Sequence, residues 1–212
     1  MGDGSFTVAI PKGRLAKQLA ARMIPRGVPA AVFDERDRAL LREAVVGELR
    51  LRVLLLKPDD VPTYTEHGAT DAGVVGRDVA MERGADLYAP FDTGLGRCRL
   101  VVAAPVGAPP RDPGRALRVA TKYPRVTTHW FARRGVEVEV IYVQGSVETA
   151  PLVGLSDCIV DLVETGETLR QNGLEVRDEV CTVSAVVVVN RAVMRLRRKE
   201  FDAFTALVAP EP

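Results

Sequence analysis

Two features of this sequence could do chemistry together. An aspartate stands inside the apolar run Cys158-Ile159-Val160-Asp161-Leu162-Val163, and Thr165-Gly166-Glu167-Thr168-Leu169 follows directly after Glu164. The run is short and β-branched, which predicts a buried parallel strand; the residues after it predict a helix ending near Asn172-Gly173. A carboxylate in such a strand is costly unless it is paired or faces a site. The first N–H groups of a helix have no intrahelical acceptor and carry the positive end of its dipole. Gly166 lets the backbone approach an anion there, and the Thr165 and Thr168 hydroxyls add donors. By itself the turn also reads as a helix cap, with Asp161 accepting backbone bonds. Taken together, an acid suited to sugar hydroxyls or Mg²⁺ and a phosphate cradle at the strand's end point to a phosphorylated sugar.

Further candidates sit at the ends of other strand-like runs. Residues 6–10 lead into Lys12-Gly13-Arg14, where two basic side chains supplement free N–H groups at a helix start; the competing reading is two solvated bases on a loop. Residues 71–76 end on Gly76, which permits close backbone approach. Residues 117–120 end on Thr121-Lys122-Tyr123, where open α/β sheets place ligands. Lys122 or Tyr123 would contact phosphate or base, unless this is a surface turn with Tyr123 packed on the helix below. Gly145-Ser146-Val147-Glu148 opens another helix, with Ser146 as its predicted cap and Glu148 in its first turn. Lys57-Pro58-Asp59-Asp60 opens a helix after the strand 51–56. His67 and His129 read as structural.

The elements that must position these residues alternate strand and helix along the whole chain, which predicts an α/β fold with mostly parallel sheets. Residues 136–143 alternate valine with glutamate and read as an edge-like strand, and residues 92–96 read as a hinge-like break. Residues 182–189 are a long β-branched run with the reach to return to the first domain. Residues 195–199, Arg-Leu-Arg-Arg-Lys, read as a solvated helical face.

Composition narrows the classes. The 212 residues are 47% apolar and 27% charged, with a net charge of +1. No overall field attracts nucleic acid or an anionic membrane, so an anionic substrate must be met by local Arg and Lys. The three cysteines, Cys98, Cys158 and Cys181, show no CxxC spacing, so no zinc or redox site is expected and no metal-ligating residues are singled out. The N-terminal residues lack a signal-peptide pattern and no apolar run reaches transmembrane length, which predicts a cytoplasmic protein.

A family resemblance rests on Gly145-Ser146-Val147-Glu148, Ala150-Pro151, Gly154-Leu155, Asp157, Ile159-Val160-Asp161 and Thr165-Gly166 through Leu169. Lys12-Gly13-Arg14-Leu15 and the glycine/aspartate pattern from Gly68 to Asp78 extend it. The sequence resembles ATP phosphoribosyltransferase, the enzyme opening histidine biosynthesis, in its short form. The resemblance implies two lobes of periplasmic-binding-protein type II with a cleft between them. They would be 1–93 with 178–212 on the pyrophosphate and ATP side, and 94–177 on the phosphoribosyl side. It implies transfer of the phosphoribosyl group of phosphoribosyl pyrophosphate to N1 of ATP. Asp161 would hold the ribose hydroxyls, and Thr165, Gly166, Glu167 (through its backbone), Thr168 and Leu169 the 5-phosphate. Lys12, Gly13, Arg14, Gly76, Lys122, Tyr123 and Glu148 would complete the substrate contacts. Arg38, with Arg36 as the competing alignment, and Lys57 would neutralise the leaving pyrophosphate. The family usually carries arginine where Lys57 stands. Mg²⁺ would arrive bound to substrate. Partners would be a regulatory subunit related to histidyl-tRNA synthetase and a homodimeric core. Two other readings remain open. One is a nucleobase-salvage phosphoribosyltransferase, disfavoured because Leu162 rather than a second acid follows Asp161. The other is a non-catalytic two-lobed binding protein, disfavoured by the lack of an export signal.

Overall fold

A computed structural model describes residues 4–36, 39–109, 112 and 114–210. The chain forms two compact units, Met1–Gly96 with Ser184–Pro212, and Arg97–Val183. In the first, β1 (Phe6–Pro11) feeds α1 (Arg14–Met23), which two 3₁₀ turns, Ile24–Arg26 and Ala30–Phe33, bring to a stop. A hairpin of β2 (Leu41–Val46) and β3 (Leu49–Leu56) follows, and a 3₁₀ turn at Pro58–Asp60 leads into α2 (Val61–Glu66). Then come β4 (Ala72–Gly76), α3 (Arg77–Arg83) and β5 (Tyr88–Asp92). The second unit holds β6 (Cys98–Pro105), β7 (Leu117–Thr121), α4 (Pro124–Ala132), β8 (Val138–Tyr142), α5 (Thr149–Leu152), β9 (Cys158–Val163), α6 (Glu167–Gln171) and β10 (Leu174–Val183). The chain then returns with β11 (Ala185–Val189), α7 (Arg191–Leu196) and α8 (Arg198–Val208).

The first sheet has the order β2-β3-β1-β4-β11-β5 and the second β10-β6-β9-β7-β8. In the first, β3, β1, β4 and β5 run one way and β2 and β11 the other. In the second, only β6 opposes the rest. β1 is apolar except for Thr7 because both its faces are covered. Phe6, Val8 and Ile10 pack with Leu19 and Met23 of α1 and Phe204 and Val208 of α8, while Ala9 packs on the other face with Val61 and Val75. Gly73 is required by close approach: a Cβ there would lie 2.6 Å from Val61 Cγ1, so α2 rests on the strand backbone. β9 is likewise covered twice, by a cluster around Val101, Ile159 and Leu169 and another around Leu100, Phe131 and Val160.

Two departures from the sequence reading have clear causes. β2 went unrecognised because its alternation is inverted. Arg42 is 8% exposed, donating its Nη2 to the Asp34 carbonyl at 2.7 Å, while Leu41 and Val45 face outward. The β-branched run 182–189 is not one strand: it breaks at Ser184, and its halves join different sheets. Residues 178–183, expected in the first lobe, continue β10 against β6 in the second unit. Around this break the two crossing segments are bonded together. The Thr93 N–H and hydroxyl both donate to the Ala185 carbonyl, and Ser184 Oγ donates to the Asp92 carboxylate at 2.6 Å.

Asp157 anchors the start of β9. It accepts from the Arg118 N–H (2.9 Å) and from the guanidinium groups of Arg115 (2.9 Å) and Arg118 (3.0 Å). The Arg115 bond outweighs desolvation, Arg118 adds to it, and the carboxyl is held well below the usual carboxylate range. A depressed folded-state pKa gives stability that is present above the unfolded value and lost as pH falls. Asp157→Asn should therefore lower stability at neutral pH by about 1–2 kcal/mol, a figure discounted because Arg115 is half exposed. The gap between variant and wild type should begin to narrow below about pH 4, the unfolded value, and close only as pH falls through the much lower folded value. Urea unfolding at pH 7 and at about pH 2 checks both, and a gap of the same size at the two would contradict the assignment.

Candidate functional site

In the second unit, the predicted residues gather at the carboxyl ends of β7 and β9. Thr121 pairs with Val160, which puts Lys122 level with Asp161 on the neighbouring parallel strand. Asp161 is half-buried and accepts the Leu162 N–H at 2.8 Å. Burial pushes its carboxyl up, the Glu148 carboxylate adds to the rise, and the Leu162 N–H and Lys122 partly offset it. Lys122, Glu148 and Asp161 thus form one electrostatic group. Tyr123 joins it only through its ring, which lies 6.0 Å from the Lys122 ammonium. The Thr121 hydroxyl donates to the Val160 carbonyl (2.7 Å) and accepts the Tyr123 N–H (2.9 Å), and the Tyr123 ring, 3% exposed, lies in the core with Val119, Phe131 and Val160. The Tyr123 ring thus has a packing role.

The Thr165 turn lies just beyond β9. Gly166 has φ 82°, a left-handed conformation that L side chains rarely adopt, and heads α6. Thr165, Glu167 and Thr168 are exposed. Thr165 Oγ1 accepts the Glu167 N–H at a long 3.4 Å. The Glu167 carboxylate is turned along the helix to Arg170 and Gln171, leaving its backbone facing the turn. The Leu169 side chain, 6% exposed, is core, so this residue has only its N–H to offer a ligand. Ser146 is not the expected cap: its carbonyl accepts from the Thr149 N–H and hydroxyl. With φ 50° it is the one non-glycine with positive φ among the described residues, a strained turn two residues before Glu148. Sequence patterns carry no signal for such a residue.

In the first unit, Pro11 pairs with Leu56 and Val8 with Ala72. One step beyond, Lys12, Lys57 and Gly76 share a level at the carboxyl ends of three adjacent parallel strands. Lys12, Arg14 and Lys57 are exposed. Gly13 has φ 88° and ψ −139°, open only to glycine, and caps α1 without a side-chain bond. Gly76 adopts φ −60°, and a Cβ there would sit 2.2 Å from Asp78 Oδ1. Arg38 lies outside the described residues. Arg36, its competitor, is 92% exposed and bonded to Asp34 through Nε at 3.0 Å. The sequence reading missed Glu35, whose Oε1 accepts the Gly13 N–H at 2.7 Å across 22 positions of chain.

Residues 57–209 match the family model HisG, described as ATP phosphoribosyltransferase. The chain belongs to the ATP phosphoribosyltransferase family. An ATP phosphoribosyltransferase from Sorangium cellulosum is 52% identical over 192 residues, covering 91% of this chain and 89% of that protein. One from Geobacter metallireducens is 45% identical, covering 91% of each. The ATP phosphoribosyl transferase (HisG:HisZ) complex from Thermotoga maritima superposes with TM-score 0.82 at 37% identity over 96% of both chains. The periplasmic aliphatic sulphonate binding protein SsuA from Escherichia coli shares the fold, with TM-score 0.60 at 14% identity over 98% of this chain and 72% of its own. The two-lobed fold of periplasmic-binding-protein type is therefore that of an ATP phosphoribosyltransferase family member. Among the described residues, no helix is long and apolar enough to cross a membrane.

Proposed function

We propose that this chain carries out the family's reaction, the first step of histidine biosynthesis, with the second unit holding the phosphoribosyl group and the first holding pyrophosphate and ATP. The observation that carries the assignment is Asp161 level with Lys122 in the last half of β9, four residues ahead of the Thr165–Leu169 turn. The turn takes the 5-phosphate through the hydroxyls of Thr165 and Thr168 and the backbone of Gly166, Glu167 and Leu169. Asp161 accepts the ribose hydroxyls. Adenine N1 has a free lone pair and attacks the anomeric carbon as the bond from that carbon to the pyrophosphate oxygen breaks. No strong base is needed. Rate comes from holding two polyanions in line and neutralising the charge that grows on pyrophosphate. Lys12, the Gly13 N–H, Arg14, Arg38 and Lys57 supply that neutralisation. Among the described residues no three His, Cys, Asp or Glu group as a metal site. Mg²⁺ would enter bound to substrate and help neutralise the leaving pyrophosphate.

The partner follows from the Thermotoga maritima relative, which was solved as a HisG:HisZ complex. We propose a HisZ-type regulatory subunit, a homodimeric core and a cytoplasmic location. The test is an assay with ATP, phosphoribosyl pyrophosphate and Mg²⁺, following phosphoribosyl-ATP by ultraviolet absorbance, with and without a HisZ-type partner. Product in either tube is the expected result, and the difference between tubes measures the partner's effect. No product in both, with pyrophosphate released when a free nucleobase replaces ATP, would overturn it.

A further inference from the structure

We propose that Glu35 is a positioning residue that competes with pyrophosphate for the Gly13 N–H and so speeds release of that product. The inference rests on the reading of Lys12-Gly13-Arg14 as the pyrophosphate turn. Gly13 is the cap of the ten-residue α1 and has no capping side chain of its own. A carboxylate from a distant loop takes this role: Glu35 Oε1 accepts the Gly13 N–H at 2.7 Å. This is a charge-assisted bond of the kind a phosphate oxygen would make to the same donor. Glu35 also lines one recess with Lys12, Arg36 and Arg42. Its neighbours are tied down, since the Asp34 carbonyl accepts from buried Arg42 and the Asp34 carboxylate from Arg36. The Glu35 side chain is thus delivered to the turn by an anchored backbone and can leave it by side-chain rotation alone.

One N–H cannot serve two anions, and a carboxylate held beside a phosphate repels it. The competition falls unequally on substrate and product. Phosphoribosyl pyrophosphate is also held by its sugar and 5-phosphate, so losing a fraction of one contact leaves it bound. Free pyrophosphate has no such second anchor. After transfer, Glu35 returning to Gly13 removes a contact on which the product depends. The cost is weaker binding of the intact donor, which the sugar contacts offset.

The experiment measures inorganic pyrophosphate affinity by calorimetry, and product inhibition in the forward assay, with the full chain. Glu35→Gln and Glu35→Ala should each bind pyrophosphate about tenfold more tightly and be inhibited by it at correspondingly lower concentration. Lys12→Ala should bind it more weakly. A purely structural Glu35 would lower the melting temperature without tightening pyrophosphate. If Lys12→Ala weakens binding and neither Glu35 variant tightens it, the competitor role is overturned while the pyrophosphate turn stands. If Lys12→Ala leaves affinity unchanged, the turn itself is misassigned and the proposal falls with it. The glutamine variant nearly preserves shape at an exposed position, so its behaviour is readable even if the alanine variant is destabilised.

Discussion

Asp161→Asn should lower kcat/KM for phosphoribosyl transfer by about 10²–10³-fold, the usual effect of removing one charged contact that tightens in a transition state. It should do so without loss of stability. The Asp161 carboxyl is pushed up mainly by burial, with Glu148 adding to the rise. A carboxyl whose folded-state pKa lies above its unfolded value contributes stability below the unfolded value, and that contribution is lost as pH rises through the folded value. At neutral pH the ionised Asp161 therefore weighs against folding, and a neutral asparagine of the same shape should melt at the same temperature or higher. The expected pairing of lower activity with undiminished stability separates a substrate-facing acid from a structural one. The pH profile adds a second readout. If ionised Asp161 holds the ribose, the acid limb of kcat/KM should lie above the ordinary carboxylate range near ~4 and should vanish in the variant. Wild-type kinetics in Asp161→Asn would remove the ribose assignment. Joint loss of activity and stability would make Asp161 a structural residue.

The second large effect is expected at Lys57. It is exposed at the end of β3, level with Lys12 and Gly76 across β1 and β4. Lys57→Ala should reduce kcat by about 10²–10³-fold through loss of charge opposite the departing pyrophosphate. Lys57→Arg should keep the rate or raise it, because guanidinium offers phosphate oxygens two parallel donors where ammonium offers a point charge. Steady-state kinetics on the pair decides the matter. An alanine variant as fast as wild type would place Lys57 outside the reacting region, and an inactive arginine variant would show that the site is shaped for lysine.

Much of this architecture is legible one residue at a time. β1, β4 and β9 are mostly apolar because helices or neighbouring chain cover both faces, while β3 and β7 admit arginine where a face is open. Each ends on a turn whose residue types announce the chemistry, from Lys12-Gly13-Arg14 to Thr165-Gly166. The failures lie where the information is not local. β2 hides because Arg42 points inward to a carbonyl that the sequence does not place there. The end of β10 is invisible because Val183 and Ala185 are equally good strand residues on either side of Ser184. Tyr123 looked available beside Lys122, but the Thr121 hydroxyl turns the backbone and sends the ring into the core. Glu35 reads as one charge in a charged loop until the fold brings it to Gly13.

The break at Ser184 bears on the order in which the molecule can be made. The second unit is one continuous segment, Arg97–Val183, and all five strands of its sheet are translated before β11. The first unit is not continuous: β11 lies between β4 and β5, and β5 pairs with no other strand in that sheet. During synthesis, β5 and the exposed side of β4 must wait, unpaired, through the translation of the whole second unit. The nascent chain should therefore complete its units in the reverse of their order of appearance, the second unit closing first and the N-terminal sheet last.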